Sequence, residues 1–164
     1  LTILGGDHPA WGTPMVETIK PFLDKVGFQI KPVLLDGATF ERRVLNGEFE
    51  AFIWSNGGEI TSLNYMKSFW SEVPRQAGNF SGYSNSEFDK LIEQAMKETD
   101  FADRKALIQK ADKLIKEDAP VWFFNYNKAV GIHQPWVHGI KATPQDMVYQ
   151  PLTEVWVDQD SPRS

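Results

Sequence analysis

The stretch from Asn79 to Tyr126 constrains the fold more than any other part of the chain. Ser84 and Glu87 stand at capping-box spacing, the Ser side chain on one orphan N–H and the Glu reaching back to another. Phe88, Leu91, Ile92, Ala95 and Met96 then recur at helical spacing and predict a single apolar face. Asp100 can cap a second helix, with Asp103 in its first turn, where the helix dipole favours a carboxylate. Ala106, Leu107, Ala111, Leu114 and Ile115 form that helix's buried stripe. Asp118-Ala119-Pro120 stops it, because the residue before a proline is pushed out of the α region. Val121 to Tyr126 reads as a short aromatic strand.

Upstream, the pattern alternates. Leu1 to Leu4 is a short apolar strand that turns at Gly5-Gly6. Thr13-Pro14 opens a helix, Val16, Ile19, Leu23 and Val26 give its stripe, and Gly27 stops it. Pro21 inside that segment predicts a kink or an early break. Phe28 to Leu35 reads as a second strand, with Pro32 marking an exposed or edge end. Phe40, Val44 and Leu45 mark a short helix closed by Asn46-Gly47, and Ala51 to Trp54 is apolar throughout, as a strand covered on both faces must be. The β-α-β-α-β order implies right-handed crossovers and a mainly parallel sheet. A short helix is expected from Ser62 to Phe69 and irregular chain from Ser71 to Gly78; beyond Tyr126 the pattern weakens.

A length of 164 residues suits one compact domain, read here as residues 1–157 with a polar tail at 158–164. A hydrophobic content of 41% argues against disorder. The formal net charge of −5 leaves no basic face to neutralise phosphates, so nucleic acid is not an expected partner. No apolar run reaches the ~20 residues that span a bilayer. Leu1 opens directly in an apolar run, so the natural N-terminus is expected to lie elsewhere. The absence of Cys removes disulfides, Cys-based metal sites and a thiol nucleophile, and fits an exported protein.

The ordered set Asn79, Gly82-Tyr83, Phe88-Asp89, Asp103-Arg104, Asp118-Ala119-Pro120, Pro135-Trp136 and Gly139 resembles a known family. It is similar to the C-terminal lobe of the extracytoplasmic solute-binding proteins that feed ABC importers, in the group taking dipeptides, oligopeptides, nickel and some oligosaccharides. The resemblance runs over nearly the whole chain, and the family's members are much longer. It implies an α/β lobe of the type II periplasmic-binding class that captures a small solute together with a missing N-terminal lobe. It further implies delivery to an ABC permease, a periplasmic or extracytoplasmic location, and no cofactor.

In open α/β sheets ligands bind outside the carboxyl ends of the strands. That rule selects Gly5-Gly6-Asp7-His8 and Ser55-Asn56-Gly57-Gly58-Glu59, so the candidate ligand residues are Asp7, His8, Trp54, Asn56, Gly57 and Glu59. Trp54 could stack on a sugar or a peptide side chain, or fill core. The resemblance places a Trp at the binding site here. Peptide-binding relatives tend to carry an acidic residue three positions later, to pair with the ligand's amino terminus. Here that position is Gly57, with Glu59 as the candidate substitute, which leaves the solute open between peptide, oligosaccharide and others. Asn79 matches an Asn near the family's cleft; its amide either meets ligand or holds the loop.

Two other classes are weaker. A glycoside hydrolase needs a carboxylate pair beside its sugar, but many acids here fall on the outward faces of the two long helices next to Lys. No Ser stands in a Gly-x-Ser-x-Gly elbow, and His133 and His138 lack the one-turn spacing of paired metal ligands. A self-standing carbohydrate-binding module would explain the aromatics, not the long helices.

Overall fold

A computed structural model describes residues 1–8, 12–55, 61–124, 132–141 and 152–162. The chain divides into two compact units, residues 1–56 with 61–121, and residues 57–60 with 122–164.

The first unit begins β1 (Thr2–Gly6), α1 (Thr13–Lys25), β2 (Lys31–Leu35), α2 (Gly37–Asn46), β3 (Ala51–Ile53). The three strands form one parallel sheet in the order β2-β1-β3, as the alternation of strand and helix signals requires. Successive residues of the central strand serve opposite faces. Ile3 packs with Val16 and Ile19 of α1, and Leu4 with Phe40 and Val44 of α2. The two helices therefore cover opposite sides of the sheet. A Cβ on Gly5 would stand 2.9 Å from the Val16 side chain, so this glycine lets α1 approach the sheet closely.

Both helix stops are made by glycine in the left-handed region. After α1, Gly27 N–H donates to Asp24 O and Phe28 N–H to Leu23 O; after α2, Gly47 and Glu48 repeat the pattern on Val44 and Arg43. Pro21 does not end α1, which runs four residues further to Lys25. Its ring lies exposed while Val16 and Ile19 are buried on the sheet, and that anchorage outweighs one lost backbone bond. The second strand starts at Lys31, later than the apolar run suggests, because the α1 stop uses Phe28 and Asp24 accepts from Ile30 N–H. The third strand is half-buried and lies at one edge of the described sheet, so continuous apolarity overstates its coverage.

The chain then forms α3 (Ser62–Lys67), a 3-10 turn (Arg75–Ala77), α4 (Ser86–Lys97) and α5 (Phe101–Asp118). The cap of α4 is Asn85, not Ser84: Asn85 Oδ1 accepts from Glu87 and Phe88 N–H, while its Nδ2 donates to Asp118 and fixes the amide. Asp100 caps α5 as its spacing predicts. Phe88, Ile92, Ala95, Ala111 and Ile115 are buried, whereas Met96 and Ala106 face out. The last of these helices, α5, stops at Ala119, a non-glycine residue at φ +47° before Pro120. The described residues of the expected aromatic strand, Val121–Phe124, form none; Trp122 and Phe124 pack edge to face instead.

The second unit holds a two-stranded antiparallel ribbon, β4 (Val137–His138) with β5 (Trp156–Val157), and a 3-10 turn (Leu152–Glu154). The His138 ring stacks on Trp156 at 4.3 Å, and its Nε2 lies 2.7 Å from Asp158. Gly139, at φ +82°, leaves no room for a side chain against Glu154 O. Two-residue strands carry too little alternation to be read from sequence.

Candidate functional site

Parallel pairing fixes where the candidate loops lie. Gly5 sits beside Leu34 and Ile53, so the chain leaves all three strands at one carboxyl edge. Asp7-His8 follows β1 directly, and Trp54-Ser55 follows β3. The helix connected to β1 covers one face and the helix leading to β3 the other, which makes this edge a topological switch point.

At that edge Asp7 is exposed and His8 half-buried. The backbone of His8 is held at both ends, its N–H on Gly6 O at 2.9 Å and its carbonyl accepting from Gly12 N–H at 3.2 Å. Trp54 is half-buried over the Leu4, Phe40 and Val44 cluster. Phe80 stacks on its indole at 4.7 Å and 28°, and Phe40 meets it edge to face at 5.4 Å. Core filling and ligand stacking thus do not exclude each other at Trp54: the core side is occupied and the residue still reaches solvent. Asn56, Gly57 and Glu59 lie outside the described residues. After β2 the same edge carries Asp36, which caps α2 through Thr39 N–H; that bond holds its carboxyl below the usual range.

Asn79 lies elsewhere in the scheme. It is 3% exposed, and its amide is fully engaged. Nδ2 donates to Tyr83 O at 2.9 Å and to Trp70 O at 3.3 Å, while Oδ1 accepts from Tyr83 N–H at 3.0 Å and Ser81 Oγ at 3.3 Å. Such an amide locks a turn and has little capacity left for a ligand. The Tyr83 hydroxyl donates to Asp118 at 2.6 Å. Burial first, then that carboxylate, pushes the phenol pKa up, and the bonds from Tyr83 and Asn85 push Asp118 down. Asp89 accepts from Ser71 N–H and Oγ.

Sequence reasoning missed Phe80. A lone Phe after a buried Asn carries no local signal, and its role appears only once residues 54 and 80 are brought together.

Over 138 residues the chain is 30% identical to "Probable D,D-dipeptide-binding periplasmic protein DdpA" of Escherichia coli K12, covering 82% of this chain and 27% of that protein. It belongs to the dipeptide/oligopeptide group of solute-binding proteins. Within that group it is also 34% identical, over 88 residues, to "Probable deoxycholate-binding periplasmic protein YgiS" of the same organism, covering 53% of this chain and 15% of that one. The fold matches the solute-binding protein DppA of Helicobacter pylori, solved with the peptide STSA, at a TM-score of 0.72 and 22% identity, over 95% of this chain and 30% of that one. The chain spans about a quarter of the first of these relatives, and the three matches cover between 15% and 30% of the proteins named. The named relatives are binding proteins rather than enzymes. No family model matches the chain.

Proposed function

We propose that this chain forms one wall of the solute site of a periplasmic binding protein that hands its ligand to an ABC permease. The observation that carries the reading is the shared carboxyl edge, where Asp7-His8 and the half-buried Trp54 emerge from adjacent parallel strands. A second lobe of the same protein supplies the opposite wall, and capture is a shift toward the closed state, with no bond made or broken. Trp54 packs against an apolar part of the solute. Asp7 and Glu59 are the carboxylates available to a ligand amine, since Gly57 leaves the family's acidic position empty. Peptide is the first solute to test, because the relatives named for dipeptides match most of this chain. The relative named for deoxycholate makes an apolar anion the second.

The test is calorimetric titration of the intact protein with Met-Leu, a D,D-dipeptide and deoxycholate. Saturable binding that weakens in Trp54→Ala supports the reading. Binding to none of the three, or binding indifferent to Trp54, removes it. Turnover of chromogenic glycosides or esters that disappears in Glu59→Gln or Asp7→Asn would put an enzyme in its place.

A further inference from the structure

The aromatic cluster beneath Trp54 carries a cation that the solute-binding reading does not use. Arg75 lies in the 3-10 turn, with its guanidinium 5.2 Å from the centroid of the Phe49 ring. Its Nη1 donates to the backbone carbonyl of Phe80. Phe80 is the residue whose ring stacks on Trp54. Two left-handed glycines flank the group. A Cβ on Gly47, at φ +74°, would stand 3.3 Å from Nε, and one on Gly82, at φ +69°, would collide with Nη2. Gln76 donates to Leu45 O at 3.0 Å and docks the same turn onto the end of α2.

We propose that Arg75 is a positioning residue: through the Phe80 carbonyl it fixes the Phe80 ring, and through that ring the indole of Trp54. The proposal rests on the solute-binding reading for what Trp54 meets; the path from Arg75 to Trp54 stands on geometry alone. Arginine suits the task because its planar fork can lie on an aromatic ring and donate in its own plane at once. Lysine, a point charge on a flexible stem, satisfies one of those demands. Phe49 precedes β3 and Trp54 follows it, so the guanidinium acts through Phe80 rather than by touching solute. An aromatic wall ordered before the solute arrives has less entropy to lose on binding.

The experiment is fluorine NMR of the intact protein labelled with 5-fluorotryptophan, the Trp54 line being assigned with Trp54→Phe. In Arg75→Met the Trp54 line should move or broaden while the Trp122 and Trp156 lines stay put, and Arg75→Lys should fall between. Should Arg75→Met not fold, Arg75→Lys and Phe80→Leu decide. A Trp54 line unmoved in a folded Arg75 variant overturns the proposal, whatever happens to stability, because a merely structural arginine would lower the melting point and leave that line alone. The spectra need no ligand, so they fail or succeed apart from the solute reading. Where wild type binds Met-Leu, Arg75→Met should bind about three- to tenfold more weakly, the cost of ordering one aromatic side chain. Equal affinity beside a displaced Trp54 line would also overturn the role in binding.

Discussion

Asn79, Tyr83, Asn85 and Asp118 are tied into the fold by their polar groups, whereas at the carboxyl edge of the sheet Asp7 stands exposed beside a half-buried His8 and Trp54. Asn79 ties Tyr83, and Tyr83 and Asn85 tie Asp118, so one network staples the start of α4 to the end of α5; separately, Asp89 ties α4 to Ser71 in the loop before it. Several of these residues carry the family resemblance. Their bonds give them a part in fixing the turn that needs no ligand. The candidate edge is instead built on ring contacts and short backbone turns.

The largest expected effect breaks the α4–α5 side of that contrast. Phe88→Ala, at a fully buried ring in α4, should destabilise the intact protein by about 3–5 kcal/mol in urea denaturation while ligand affinity in the folded fraction stays constant. Asn79→Ala comes next, at about 2–3 kcal/mol, since Tyr83 O loses its side-chain donor while Tyr83 N–H keeps only Ser81 Oγ and Trp70 O only Val73 N–H. A drop in affinity beyond that explained by unfolding would return Asn79 to the site. Trp54→Ala sharpens the other side, with about 2 kcal/mol of stability lost from a half-buried ring and roughly tenfold or more of affinity. Loss of stability with unchanged affinity would make Trp54 core alone.

The smallest effect concerns pH. Asp118 titrates below its ordinary range because Tyr83 and Asn85 donate to its carboxylate. A folded pKa below the unfolded one, about 3.9, means that the stabilisation is complete above that value and drains away as pH falls through the folded value. Urea midpoints measured from pH 6 to pH 3 should therefore fall less steeply in Asp118→Asn than in wild type. Parallel slopes would show that the carboxylate contributes nothing through ionisation.

What the sequence made legible follows the same division. Helix stripes, the Asp100 cap and the glycine stops are local signals, and the sheet order follows from alternation with right-handed crossovers. The positions of Asp7, His8 and Trp54 at one edge followed from that topology. Contacts that cross the chain were not legible. Asn85 takes the cap from Ser84 because Asp118, far along the sequence, orients it. Pro21 stays helical because the sheet beneath holds the helix. Phe80 and Arg75 acquire meaning only from partners that no local spacing announces.

Consider finally the central strand, β1, whose two neighbours are residues 31–35 and 51–53. As the chain is synthesised, this strand appears before either partner, and its second edge stays unpaired until residues 51–53 have followed. Sequence-distant pairing of this kind slows folding and prolongs the exposure of Ile3 and Leu4 to other chains. The strand that organises the finished sheet is thus the one most in need of protection during assembly.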